Sequence, residues 1–334
     1  MALEFRDSGG ACRRMRLYVG VTDFDWYSQL AARPDLDEAN FWSPGGAAFR
    51  ILQPGGLFLF KLKAAHGHAI AGGGVFAHDT LLPLSMAWLV FGEKNGVASL
   101  DEMRTRIRQY QSEASRGVRD PVIGCRLLQQ PFFFPRDQWF RAPQTFPVNA
   151  VAGKSYGLDE PEGAAILRAV EERLPWTTRG SAPIEPTGPE LDEKDRRGAP
   201  LAIMPRLGQG SFRIAVLDGF GRRCAVTGER TLPILDAAHI KPWAVGGENR
   251  PGNGLLLRTD IHRLFDLGYV TISRDRKFEV NPRLREDYEN GKVYYDLHGR
   301  PLRPPEDRAL DPSSEALEWH HANRWACPGE YWPV

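Results

Sequence analysis

The stretch on which the fold reading turns runs Leu235-Asp-Ala-Ala-His239-Ile-Lys-Pro-Trp243, then Gly252-Asn253-Gly-Leu-Leu-Leu257, then Asp260-Ile-His262-Arg-Leu-Phe-Asp266. A short strand ends at His239, a loop follows, Asn253 precedes a second apolar run, and His262 opens a helix. Working outward, Ser211 to Phe220 reads as a helix with Phe212, Ala215, Val216 and Phe220 on one face. Upstream, Thr177 to Gln209 is rich in Pro, Gly and charge with few apolar anchors, which is the composition of a linker. Before it, Pro161 to Leu174 reads as a helix that closes a first domain or leads into the linker. The chain therefore divides into 1–176, a linker 177–209, and 210–334.

The order of those elements resembles the HNH endonuclease family, and in particular its branch with AAHI, NGL and H-x-L-F-D, over roughly residues 211 to 275. The resemblance implies a ββα-metal fold and hydrolysis of phosphodiester bonds. Such chemistry needs an activated water, neutralisation of phosphate charge and stabilisation of the leaving 3′ oxygen. His239 lies where the family places its general base, and a neutral imidazole can take a proton near pH 7. His262 matches the family's helix metal ligand. In many members an Asp or His directly precedes the base, but here that position is Ala238. Asp236 is the nearest carboxylate, on the same strand face as Ala238. It reads as the strand ligand or as a salt-bridge partner of Arg222 or Arg223. Asn253 resembles the family asparagine that braces the loop behind the base. The implied cofactor is one divalent ion, Mg²⁺ or Mn²⁺ by oxygen ligation, with Ni²⁺, Co²⁺ or Zn²⁺ also admitted by imidazole. Lys241, Arg258 and Arg263 are candidate phosphate contacts or simply a solvated face. Cys224 reads as core packing.

Composition bounds the alternatives. With 334 residues, 42% hydrophobic and 25% charged, the chain has globular proportions and length for two domains. Its apolar runs are too short to cross a bilayer, and no secretory leader pattern is visible. The four cysteines form no CxxC pair, which argues against a zinc ribbon or disulfide framework and fits a cytoplasmic protein. Net charge is only +1, but Leu201 to Asp275 holds ten Arg or Lys against seven Asp or Glu. A local basic surface is what a phosphate backbone requires.

In the first domain, Arg16 to Val21, Gly56 to Leu62 and Val122 to Leu128 read as strands. Leu100 to Gln111 reads as a helix, with Ser99 as its N-cap. An α+β or small barrel-like domain follows. Segments across residues 15 to 157, among them Leu17-Tyr-Val-Gly-Val-Thr-Asp-Phe-Asp-Trp26 and Glu38-Ala-Asn-Phe-Trp42, resemble the N-terminal half of a large bacterial group of HNH proteins. The arrangement is similar to a PUA-superfamily domain of the EVE or ASCH kind. That resemblance implies a pocket for a modified base flipped from the duplex. Trp26, Phe41, Trp42 and Phe91 are candidate stacking surfaces. Asn40 and Asn95 are candidate partners for the base edge, and Lys61 and Lys63 candidate phosphate contacts. The plainer reading of these aromatics is that most are core.

Together these readings describe a modification-dependent restriction endonuclease. Its expected partner is double-stranded DNA carrying 5-methylcytosine or 5-hydroxymethylcytosine. One site per chain makes a homodimer the economical route to a double-strand cut. Two other readings stay open. One is an HNH nuclease that reads unmodified sequence or RNA. The other is a non-catalytic nucleic-acid reader with a decayed HNH fold.

Overall fold

The computed structural model describes residues 4–6, 12–110, 117–147, 150–174, 208–242 and 245–329. The chain separates into two compact units, Met1–Pro205 and Arg206–Val334. Most of the expected linker, 177–207, lies outside the described residues.

Unit 1 opens with a two-stranded hairpin, β1 (Glu4–Arg6) and β2 (Cys12–Arg14). Its main sheet has seven strands: β3 (Arg16–Thr22), β4 (Glu38–Ser43), β5 (Leu57–Leu62), β6 (Ala69–Pro83), β7 (Val122–Phe133), β8 (Phe140–Arg141) and β9 (Gly153–Gly157). The hydrogen-bonded order is β4-β7-β6-β5-β3-β9, with β8 on β6. Only the β3–β5 pairing is parallel among those described. The helices are α1 (Phe24–Ala31), α2 (Leu84–Phe91), α3 (Leu100–Tyr110) and α4 (Pro161–Glu171).

The sheet is strongly curled. Strand β4 stands three places from β5, about 14 Å in a flat sheet. Yet the Phe41 and Phe58 rings lie 4.7 Å apart between centroids. Aromatic rings fill the resulting interior: Tyr18, Phe41, Phe58 and Phe60 from one face of the sheet, Trp26 from α1 and Phe49 from the loop after β4. The other face carries Leu17, Val19, Leu59 and Ile70, covered by Ile166 and Val170 of α4. Gly96 lets the chain pass the interior ring of Trp26: its φ is +69°, and a Cβ there would sit 2.3 Å from the indole. Ser99 Oγ accepts the Glu102 amide at the start of α3.

Unit 2 is built on α5 (Gln209–Gly219), β10 (Leu235–His239), β11 (Gly254–Arg258) and α6 (Thr259–Asp266). Strands β10 and β11 pair antiparallel with His239 opposite Gly254, and α6 follows β11 without a loop. Leu235, Ala238 and Leu255 to Leu257 are buried, so a two-stranded ribbon is sandwiched rather than left with an open face. Cys224 is also buried, its sulfur accepting the Arg258 and Thr227 amides. The unit continues through β12 (Val270–Ile272), β13 (Phe278–Val280), α7 (Arg283–Tyr288), α8 (Lys292–Tyr295) and α9 (Ser314–His320), then a π-helical turn, His321–Trp325. The whole is α+β: a curled sheet unit followed by a ββα unit.

Candidate active site

The loop between β10 and β11 begins where backbone pairing stops, so its polar groups need side-chain partners. Asn253 supplies them. Its Oδ1 accepts the Lys241 amide at 2.9 Å, and its Nδ2 donates to the carbonyls of Lys241 and Glu248, both at 2.9 Å. Three capacities of one buried amide are spent on holding both ends of one loop. A substitution to Ala would leave two carbonyls and an amide without that partner.

His239 ends β10 half-buried. Its ring stacks on Phe212 of α5, with centroids 4.1 Å apart and planes 13° from parallel. Asn249 Oδ1 lies 2.7 Å from Nε2. With that oxygen accepting the Nε2 proton, Nδ1 carries the lone pair. Burial, opposed by the Asn249 hydrogen bond, holds the His239 pKa below the ordinary imidazole value. The ring is therefore a neutral proton acceptor at neutral pH.

His262, on the first turns of α6, is flanked on both nitrogens. Nδ1 is 3.4 Å from Asp236 Oδ2, and Nε2 is 3.4 Å from Asp266 Oδ2. Burial disfavours the imidazolium, but Asp236 and Asp266 outweigh it and raise the His262 pKa. The hydrogen bond to His262 lowers the pKa of Asp236, while burial raises that of Asp266. Arg213 of α5 reaches within 3.9 Å of Asp236. Arg222, one of the salt-bridge partners expected for Asp236, is bound to Asp218 at 2.9 Å. Ala238, where many family members carry a ligand, is fully buried in the core, which leaves Asp236 as the strand's carboxylate beside His262.

The donor chemistry suits a divalent ion. Two donors with bonds of about 2.1 Å at a tetrahedral angle are about 3.4 Å apart, and both carboxylate–imidazole separations equal that value. The described residues contain no preformed group of three or more such donors. Asp236 and His262 are thus the pair that could take an ion, with Asp266 beside them.

Other sequence candidates fall elsewhere. Arg258 is held in a two-pronged pair with Asp260, at 2.6 and 2.7 Å. Lys61 is only 3% exposed and contacts His68 Nδ1, so no backbone phosphate reaches it. Lys63 is exposed but paired with Asp23 and Tyr110. Arg263 is exposed on α6, and Lys241 is half-buried at the loop start.

The expected base pocket needs correction. Trp26, Phe41 and Phe91 are buried, and the Trp26 ring meets Phe41 and Phe60 edge-on at 5.2 and 5.1 Å. Asn40 donates to Asn95 Oδ1, and Asn95 donates to the carbonyls of Ala87 and Gly92. The half-buried Trp42 donates its indole N–H to the Asn95 carbonyl. A curled sheet must fill its interior with bulky rings, so these residues are core and its polar lock. An open cleft of about 470 Å³ lies instead beside the loop after β4, lined by Phe49, Arg50, Gln53, Phe76, His78 and Asp79.

Sequence reasoning missed Asn249, Arg213 and the roles of Phe212 and Asp266. Asp266 stood in the quoted motif and Phe212 on the apolar helix face. Asn249 had no signal beyond being polar in a Gly- and Pro-rich loop.

Comparison with known proteins places this geometry. Residues 224–273 match the model of the HNH endonuclease family HNH_2. Among solved structures, the chain is similar to a tyrosine-to-phenylalanine mutant of ZmASCH from Zymomonas mobilis, at 8% identity and TM-score 0.33, covering 47% of this chain and 98% of that one. It is also similar to the modification-dependent TagI restriction endonuclease, at 13% identity and TM-score 0.27, covering 90% of this chain and 80% of that one. No curated protein matches the sequence. The ββα core with His239, Asn253 and His262 thus lies within an HNH endonuclease domain, and the chain that carries it is a nuclease.

Proposed function

We propose that this chain is a metal-dependent DNA endonuclease in which His239 is the general base. The observation that carries the reading is the pairing of a neutral, oriented His239 with the Asp236–His262–Asp266 cluster on the facing elements β10 and α6. In the reaction, a water attacks the scissile phosphorus and gives its proton to His239 Nδ1 as the new P–O bond forms. The bond to the 3′ oxygen breaks in line with the attack. Asp236 and His262 would hold the divalent ion, Mg²⁺ or Mn²⁺ in the first instance. When bound, that ion neutralises phosphate charge and stabilises the departing oxygen. Arg213, beside Asp236, is placed to add a second positive charge at the phosphate. Asn253 keeps the loop that carries Asn249 in register with the base.

The N-terminal unit is proposed to direct the cut to cytosines carrying a 5-methyl or 5-hydroxymethyl group, flipped out of the duplex. The support is the resemblance of residues 15–157 to PUA-superfamily domains. The cleft at Phe49, Arg50, Gln53 and Asp79 is a place among the described residues where a base with polar edges would fit, while the rings of Trp26, Phe41 and Phe91 are packed in the core. One site per chain cuts one strand, so a double-strand break calls for two copies. Digestion of matched DNAs carrying cytosine, 5-methylcytosine or 5-hydroxymethylcytosine, each with Mg²⁺, Mn²⁺ or EDTA, tests both halves. Metal-dependent cutting of modified DNA alone is expected. Equal cutting of all three would remove the modification reading and leave the nuclease reading standing.

A further inference from the structure

The imidazole of His239 turns about its Cβ–Cγ bond in a broad, shallow potential. The lone pair that takes the proton lies in the ring plane, so the plane decides where it points. Asn249 settles which nitrogen is free. One hydrogen bond at a ring edge still leaves the ring able to rock about it.

Phe212 of α5 removes that freedom. Its ring lies against the imidazole with centroids 4.1 Å apart and planes 13° from parallel. Rocking one way drives the imidazole into the phenyl face. Rocking the other way opens a gap and forfeits the dispersion contact between the two faces. The phenyl ring is itself immobilised, being only 1% exposed.

The strand behind it is shaped to admit that ring. Gly254 stands directly opposite His239 in the β10–β11 ladder. A Cβ on Gly254 would run into Val216 Cγ2 and stand 2.9 Å from Phe212 Cζ and 3.1 Å from Phe212 Cε2. Its φ of −124° is open to any residue, so the glycine serves space and not a turn. Phe212 and Val216 are one helical turn apart on one face of α5, which packs on both β10 and β11. Helix α5 ends at Gly219, before the family match begins at residue 224.

We propose that Phe212, seated in the room left by Gly254, is a positioning residue for the nuclease reaction: it fixes the plane of the His239 ring and so aims the Nδ1 lone pair at the attacking water. Asn249 sets the nitrogen and Phe212 sets the plane. The proposal rests on the reading of His239 as the general base. It brings α5, outside the family segment, into the functional unit.

The test is a cycle of plasmid nicking by the full chain with Mn²⁺, on DNA that the wild type cuts. Its variants are Phe212→Leu, His239→Ala and the two combined, each checked for folding by circular dichroism. Leucine keeps an apolar filling but has no flat face. Phe212→Leu is expected to lower kcat roughly 10–10²-fold, the scale of a misplaced catalytic group, with KM for DNA unchanged. In the His239→Ala background the same substitution is expected to change the rate little, because the residue it acts through is gone. A merely structural role would lower the rate by the same factor in both backgrounds. Equal factors, or wild-type kcat in folded Phe212→Leu, overturn the proposal and leave the base reading standing. If Phe212→Leu does not fold, NMR of the wild type decides. The His239 ring protons, assigned by their loss in His239→Ala, are expected upfield of the free-imidazole position because they lie over the Phe212 face, and unshifted signals overturn the proposal. Wild-type kcat in folded His239→Ala removes the base reading itself, and the proposal with it.

Discussion

Asn249 Oδ1 stands 2.7 Å from His239 Nε2, so a loop residue decides which nitrogen of the base is free to take a proton. Replacing Asn249 by Ala removes that control while leaving the Phe212 stack in place. Cleavage is expected to fall roughly 10–10²-fold, the scale of a misoriented catalytic group, with little change in melting temperature. Asn249→Asp tests the same contact through charge. A carboxylate beside the ring favours the imidazolium, so the His239 pKa rises and the acid limb of the rate profile moves to higher pH. A profile unmoved in Asn249→Asp would mean that Asn249 does not address the base.

His320 gives the fold a built-in acid sensitivity. Burial holds its pKa down to about 3, against an ordinary value of 6.5. It is neutral in the folded chain, while the unfolded chain takes up a proton below pH 6.5. The unfolded state then binds more protons, so stability is complete above pH 6.5 and declines as pH falls toward 3. Urea midpoints of the wild type and His320→Gln, measured between about pH 7.5 and 4.5, should converge as pH falls. Parallel curves would show that His320 is not the group responsible.

In the N-terminal unit, Gly96→Ala is expected to cost about 2–4 kcal/mol, from the left-handed backbone and the overpacked interior together. The φ of +69° and the 2.3 Å approach to Trp26 are independent reasons. Chemical denaturation measures the cost. A loss below about 1 kcal/mol would mean that the Trp26 ring moves aside freely.

How much of this is legible in the sequence depends on the scale of the signal. Gly56 to Leu62 and Val122 to Leu128 read as strands from local patterning, and they appear as Leu57–Leu62 and the longer Val122–Phe133. Spacing cannot reveal that β4 curls over to meet β5, because that follows from long-range register. For the same reason Trp26, Phe41 and Asn40 look like a pocket in sequence and are interior instead. In unit 2 the ββα order is legible because its elements are consecutive. Asp266 and Asn249 are brought to the histidines by helix pitch and loop shape. Arg258, a candidate phosphate contact in sequence, is paired with Asp260 two residues on, a partner that the motif does not signal.

The most direct measurement of the central claim is plasmid nicking by the wild type and by His239→Ala, each shown by circular dichroism to be folded, with Mn²⁺ and with EDTA, on DNA carrying modified cytosine. The account predicts nicking by the wild type with Mn²⁺ and none with EDTA. It predicts a rate lower by roughly 10²–10⁴ for His239→Ala, the usual loss when a general base is removed. Nicking by folded His239→Ala at the wild-type rate, or nicking by the wild type that EDTA leaves untouched, would contradict it.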